Sequence, residues 1–378
     1  MIKIPSEPRI ALVHDHLIQH GGAERVLEIL QNLWPNAPTF TLLYNQKELP
    51  FFKEKNIQTS FLQKFPFALQ KYQWYLPLMP TATESYDLSS YDIIISGSSA
   101  FSKGVITGHR SMHVCYCHTP TRYLWSDTTS YVEELKQSRF VKWLLPPLLS
   151  YLRLWDKQAA DRVDQFIANS KTVRDRIEKY YRRPSFVIHP PVEVEKFSIT
   201  NHPKNYFLAG GRLVAYKRFD IIVEACTRLR LPLKIFGTGP MQKDLERLAG
   251  PTIEFLGRVS DKDRAKLYAE CRAYLHPQEE DFGITVVEAM ASGRPVIAYR
   301  KGGALETVIE GKTGLFFDHQ NWENLAHILL GFDSNSYNPE IIRSHATNFR
   351  TERFKEQIKN FIEHAWEEMN QSSYANRN

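Results

Sequence analysis

What the chain lacks narrows it first. It has four cysteines in 378 residues, too few and too scattered for a disulfide framework. Cys115 and Cys117 form a C-x-C inside a strand pattern, with no second Cys/His pair to complete a zinc set. A reducing, cytoplasmic setting is therefore the expectation. No run reaches the ~18–20 apolar residues of a membrane span. The nearest, Trp143 to Trp155, is short and carries Pro146 and Pro147, which are expected to break it. The first residues, MIKIPSEPRIALVHDH, hold an apolar run of only four before His14 and no leader pattern. The G-x-G-x-x-G fingerprint of dinucleotide enzymes is missing, which counts against an oxidoreductase. The net charge of +6 lies wholly in the first 190 residues, and no RNA- or DNA-binding motif accompanies it. Nucleic acid is not an expected partner; a bias this modest suits an anionic membrane surface or an anionic substrate.

What is present reads as two α/β series. A chain of this length exceeds what one core usually fills. Strand patterns (RIALVH at 9–14, Thr39 to Tyr44, YDIIIS at 91–96, Met112 to Cys117, Asp164 to Ala168) alternate with helical ones up to His189-Pro190-Pro191. These prolines make a stiff linker and the expected boundary. A second series begins at Tyr206 to Ala209 and runs through strands near 233, 253, 273, 295 and 313. Strand–helix alternation of this kind predicts doubly wound parallel sheets.

The most informative stretch is 274–293, YLHPQEEDFGITVVEAMASG. It predicts a short strand, a polar loop with Glu280, and a helix from Ile284 that ends at Gly293. The helix is apolar all round apart from Glu288, so Glu288 is a carboxylate inside a buried helix and needs donors or a cation. The start of that helix is an anion site by its free N–H groups and its dipole. Two carboxylates for hydroxyls and a helix start for phosphate are what a sugar nucleotide requires. The plainer alternative is a solvated Glu280 and a Glu288 paired with a structural arginine.

Three further features support the ligand reading. Gly21-Gly22 separate a strand from a helix, where backbone N–H groups can approach a phosphate closely. His118 stands at the C-terminal end of a strand, the edge at which parallel sheets bind ligands, and can meet a sugar hydroxyl or handle a proton. Arg212 and Lys217 lie in a glycine-containing strand-to-helix loop and suit a diphosphate, the one as a fork and the other as a point charge. The aromatic and basic segments 61–80 and 138–155 read either as a membrane-surface edge or, for the first, as a core-packing helical hairpin.

Gly21-Gly22, His118, Arg212 with Lys217, and Glu280 with Glu288 follow one another in an order that resembles retaining GT-B glycosyltransferases, specifically glycosyltransferase family 4. The resemblance covers nearly the whole chain. It implies an α/β GT-B fold, two Rossmann-like domains facing across a cleft: residues 1–190 on the acceptor side, with helix 351–369 packing back on them, and 191–350 binding the nucleotide sugar. It gives Arg212 and Lys217 the leaving diphosphate, Glu288 the ribose, and Glu280 the donor sugar. Asp281, Phe282, Gly283 and Ile284 lie beside that sugar through the backbone, and Gly257, Arg258 and Val259 frame the base. Gly21 and Gly22 approach the phosphate, and His118 touches the transferred sugar. The stretch CHTPTRYLW is similar to bacterial mannosyltransferases of surface-polysaccharide synthesis. That implies GDP-mannose as donor, a glycan or lipid-linked acceptor, and no metal or other cofactor, with Arg212 and Lys217 in the metal's place. UDP- and dTDP-sugars are the alternative donors. A sugar-nucleotide epimerase or hydrolase is the alternative enzyme; its acids would be Asp15 or Asp127.

Overall fold

A computed structural model describes residues 8–126 and 139–375, with side chains at 8–126 and 145–371. Asp127, Ser138 and the extreme tail lie outside that description. Contacts divide the chain into two units, Met1–His189 with Lys355–Asn378, and Pro190–Phe354.

The first unit is built on seven parallel strands, β1 (Ile10–His14), β2 (Thr39–Thr41), β3 (Ile57–Thr59), β4 (Ile93–Ser98), β5 (Met112–Cys117), β6 (Gln165–Ala168) and β7 (Phe186–Val187). Their order is β3-β2-β1-β4-β5-β6-β7. The central strands read as unbroken apolar runs because helices cover both faces. Ala11, Leu12, Ile94 and Val114 are wholly buried. The direction of winding reverses between β1 and β4, which opens a crevice at their C-terminal ends.

The second unit has six parallel strands, β8 (Phe207–Gly210), β9 (Leu233–Phe236), β10 (Ile253–Gly257), β11 (Ala273–His276), β12 (Val296–Tyr299) and β13 (Gly314–Phe317), in the order β10-β9-β8-β11-β12-β13. Its reversal lies between β8 and β11. Two apolar layers, one on each face, hold the sheet.

Three details differ from the sequence reading. Pro146 and Pro147 do not break their segment: one helix spans Arg139–Asp161. Its buried face, Leu149, Leu152 and Trp155, holds the helix through the lost backbone bonds. The stretch 61–80 is no helical hairpin. It forms 3-10 turns at Phe61–Lys64 and Tyr72–Leu78 before a short helix, Met79–Glu84. Pro66, Pro77 and the positive φ of 53° at Phe67 preclude a longer one. Strands β3 and β7 carried no readable signal, being two or three residues at exposed sheet edges. The last helix, Thr351–Ala375, joins the first unit from Lys355 onward, where Phe361 packs edge-on against Phe186 at 5.1 Å.

Candidate functional site

In the second unit the chemistry gathers at the C-terminal ends of β8 and β11, neighbours in the sheet. The β8 loop ends in a 3-10 turn, Ala215–Lys217, followed by Arg218 in the left-handed region at φ 52°. This turn folds Lys217 back over the end of β8. Its Nζ lies 2.7 Å from Glu280 Oε1 in the loop after β11, with the two side chains 12% and 17% exposed. Burial works against the Lys217 cation, but Glu280 outweighs it and holds the lysine above its ordinary range. Arg212 is in the same loop, exposed, with its charge felt at Lys217.

The Glu280 loop is held from beneath. Gly303 N donates to Glu280 O at 2.8 Å. A Cβ on Gly302 would come within 2.3 Å of that same oxygen, and one on Gly303 within 2.3 Å of Phe282 Cα. Only glycine admits this approach. Phe282 is buried against Phe349, so it offers the site its backbone and not its ring. Asp281 is half-buried beside it.

Gly283, at φ 87°, starts the helix Ile284–Ala291, and no side chain caps it. The helix stops at Gly293 in the left-handed region, whose N–H reaches Met290 O. Val286, Val287, Ala289 and Met290 are wholly buried, which fixes the direction in which the helix start points. Glu288 is 2% exposed. Tyr268 donates its hydroxyl to Oε2 at 3.2 Å, and Arg264 Nε stands 3.6 Å away. The buried carboxylate therefore has the donor and the cation that its position demands. The arginine partner is the one anticipated by the plainer reading, and it is 18% exposed, within reach of solvent. Gly257 turns at φ 65° at the end of β10 with open space where a Cβ would stand, and Arg258 beside it is exposed.

His276 carried no assignment from the sequence. It ends β11 wholly buried, with Nε2 3.5 Å from the position a Gly283 Cβ would take. Burial holds it neutral, down to about 4. Its signal was the one that marked His118: a histidine ending a strand immediately before the ligand-binding edge.

In the first unit Gly21 caps the helix Gly22–Leu33. Glu24 fills the turn; its Oε2 lies 3.0 Å from where a Gly21 Cβ would be. His14, ending β1, puts Nε2 3.4 Å from Glu24 Oε1. His118 follows β5, and burial pushes it down to about 4, with His14 adding to the shift. Neither His14 nor Glu24 was singled out by the sequence, although both belong to the same strand–glycine–helix passage.

Asp15 is fully engaged. Its carboxylate accepts from the backbone N–H groups of Ser99, Ala100, Phe101 and Ser102 at 2.6–2.9 Å. Burial raises its pKa, but His16, His14 and the N–H groups of Ser102 and Ser99 bring it below the usual range. It is a clamp on the turn after β4, which leaves it ill-suited to the acid–base work of an epimerase or hydrolase.

The comparisons point one way. The model described as Glycosyltransferase Family 4 matches residues 20–196, and Glycosyl transferases group 1 matches residues 191–349. The chain is 27% identical over 195 residues to the O-antigen chain mannosyltransferase C of Escherichia coli, covering 49% of this chain and 52% of the relative. It is 32% identical over 181 residues to a GDP-mannose-dependent alpha-mannosyltransferase of Mycolicibacterium smegmatis, covering 45% and 48%. The chain spans about half the length of the curated relatives it matches. Among solved structures, Anabaena Alr3699/HepE in complex with UDP-glucose superimposes with a TM-score of 0.69 at 18% identity, over 94% of this chain and 99% of that one.

Proposed function

The chain belongs to the GT4-type glycosyltransferases of GT-B fold, and from that premise we propose that it moves a hexose, mannose from GDP-mannose first, onto a glycan or lipid-linked glycan. The observation that carries this reading is the meeting of Lys217 and Glu280 beside the start of the Ile284 helix. Transfer breaks the bond between the sugar C1 and the leaving phosphate oxygen. The acceptor oxygen takes C1, and its proton passes to the leaving diphosphate. Lys217, Arg212 and the helix start stabilise the charge that builds on the diphosphate. Glu280 binds sugar hydroxyls on this reading, and Glu288 the ribose. On this reading the two cations do the work of a metal, and the anomeric configuration is retained.

The names of the mannosyltransferase relatives support mannose; UDP-glucose, bound by the Anabaena neighbour, is the second donor to try. A thermal-shift panel of GDP-mannose, UDP-glucose, dTDP-glucose and ADP-glucose tests the donor. Stabilisation by GDP-mannose alone is expected, and a shift confined to another nucleotide would replace it. NMR of the product tests retention, and turnover in excess EDTA tests independence of metal.

Glu288→Gln keeps an acceptor for Tyr268 while removing the charge. Loss of a charged hydrogen bond costs about 1.5–3 kcal/mol, so the Kd for GDP should rise at least tenfold by calorimetry. An unchanged Kd would take Glu288 out of the ribose role.

A membrane surface belongs to the same proposal. Phe61, Phe67, Trp74 and Leu78 are exposed, and Lys71 lies over Trp74 at 4.2 Å. Aromatic and basic groups together suit an anionic bilayer interface. Among the described residues no helix is long and apolar enough to cross a membrane. Cosedimentation with phosphatidylglycerol vesicles, lost in Trp74→Glu, is the expected result.

A further inference from the structure

One buried phenol stands where the Arg212–Lys217 loop and the Ile284 helix of the second unit come together. Tyr274, the second residue of β11, is wholly buried and lies opposite Leu208 of β8. Its side chain reaches along the sheet to the C-terminal edge. There its hydroxyl donates to the carbonyl of Gly210, the last residue of β8, at 3.1 Å. The other end of the same peptide is also held, since Gly211 N donates to Phe236 O at 3.0 Å. Gly210 itself has no room for a side chain: a Cβ would lie 2.2 Å from the Phe236 ring. The chain then turns at Gly211, φ 129°, close under the lysine. A Cβ on Gly211 would stand 3.0 Å from Lys217 Nζ. The phenol therefore grips the peptide from which the Arg212–Lys217 loop departs.

The same side chain bears on the Ile284 helix. Tyr274 shares one apolar cluster with Phe236, Tyr268, Phe282, Val286 and Val287. Thr285, in the first turn of that helix, acts on the phenol. Burial pushes the Tyr274 pKa up, the Thr285 hydroxyl works against that rise, and the charges of Glu280 and Glu288 add to it. The phenol is thus a neutral donor within the field of both carboxylates. The ring of Tyr268, whose hydroxyl donates to Glu288, lies 5.4 Å away. Its neighbours across the sheet are aliphatic, Leu208 on one side and Val296 on the other. A phenylalanine would fill this core with no polar group to satisfy, so packing alone does not call for the hydroxyl. What the hydroxyl adds is a fixed link between the end of β8 and the start of the helix.

We propose that Tyr274 is a positioning residue for the transfer: its hydroxyl sets the Arg212–Lys217 loop at a fixed separation from the start of the Ile284 helix, so that both bear on one diphosphate. It acts through those two elements and not by contact with substrate. The physical reason is preorganisation. Donors held in place before charge develops have no reorganisation to undergo when it does, and misplacing them by an ångström is costly. The inference deepens the glycosyl-transfer reading and rests on it for the diphosphate.

Two variants test it. Tyr274→Phe removes the oxygen and leaves the ring to pack as before. Tyr206→Phe is the control. It also deletes one phenol–carbonyl bond, from Tyr206 to Leu267 O at 2.9 Å, but just ahead of β8, at the end of the strand away from the loop. Calorimetry on the full chain compares GDP with GMP and UDP with UMP, and thermal unfolding measures stability. Both variants are expected to melt below the wild type. Only Tyr274→Phe should lose preference for the diphosphate over the monophosphate, about tenfold, with the monophosphate affinity held within about twofold. A Tyr274→Phe protein that keeps the wild-type preference overturns the positioning role. An equal loss in Tyr206→Phe overturns it too, because the effect would then follow stability alone. A wild-type protein that binds the diphosphates no better than the monophosphates overturns the glycosyl-transfer reading itself, and the inference falls with it.

Discussion

Lys217→Ala is expected to reduce turnover by about two to three orders of magnitude, the usual cost of removing one fixed donor from a developing anion. The loss should fall on kcat more than on the stability of the fold, because Lys217 sits on a loop, over the end of β8 and against Glu280, outside the apolar core. The structure adds a second consequence. Without the lysine, Glu280 loses the cation 2.7 Å away and sets its negative charge beside the incoming diphosphate. Lys217→Ala should therefore bind GDP more weakly than the double variant Lys217→Ala/Glu280→Gln, in which the repulsion is gone. Turnover should remain lost in both, because the cation is absent from both. Donor turnover by chromatography and GDP affinity by calorimetry measure the two effects. A Lys217→Ala protein that turns over at the wild-type rate would remove the diphosphate from this loop.

The same ion pair shows what a sequence reading reaches and where it stops. Lys217 and Glu280 each stood out locally, one in a glycine-containing loop and one ahead of a buried helix. Their contact did not. It depends on β8 and β11 being neighbours, a non-local pairing that no periodicity carries. That Gly302 and Gly303 seat the carbonyl of Glu280 is visible only when both loops are in place. The alternation of apolar runs with amphipathic helices was legible because burial on both faces erases the polar half of a strand's pattern. The exposed edge strands β3 and β7 have no such signature. At Pro146-Pro147 the local rule was right about the cost and wrong about the outcome, since packing of Leu149, Leu152 and Trp155 against the first unit's core overrides it. His14 and Glu24 escaped notice for a different reason. Each reads as an ordinary strand-end or first-turn residue, and their pairing exists only once β1 and the helix after it are folded together.

Asp156→Ala should destabilise the first unit by about 3–5 kcal/mol, the range for breaking a buried ion pair from one side. Asp156 and Lys103 are each 1% exposed and meet at 2.5 Å. The carboxylate also accepts from Thr121 Oγ1, Trp125 Nε1 and Tyr181 Oη, each at 2.8 Å. It ties the loop after β5 to the Arg139–Asp161 and Lys171–Tyr181 helices. Removing it strands a cation and three donors in a dry interior, where Lys103 keeps the carbonyl of Ala100 and the Tyr181 ring but no counter-charge. Lys103→Met is the informative contrast. It leaves Asp156 with three donors, and the methionine fills most of the lysine's volume, so the cost should be clearly smaller. Burial opposes the Lys103 cation, but Asp156 outweighs it and raises the lysine above its ordinary range. A raised pKa contributes stability that is present at and below the unfolded lysine value, so the pair is intact at neutral pH and weakens only in strong alkali. Six of the seven tryptophans belong to the first unit, so urea unfolding followed by tryptophan fluorescence reports chiefly on it. Equal midpoints for Asp156→Ala and Lys103→Met would show that the Lys103–Asp156 charge pair, and not the three neutral donors, sets the energy of this network.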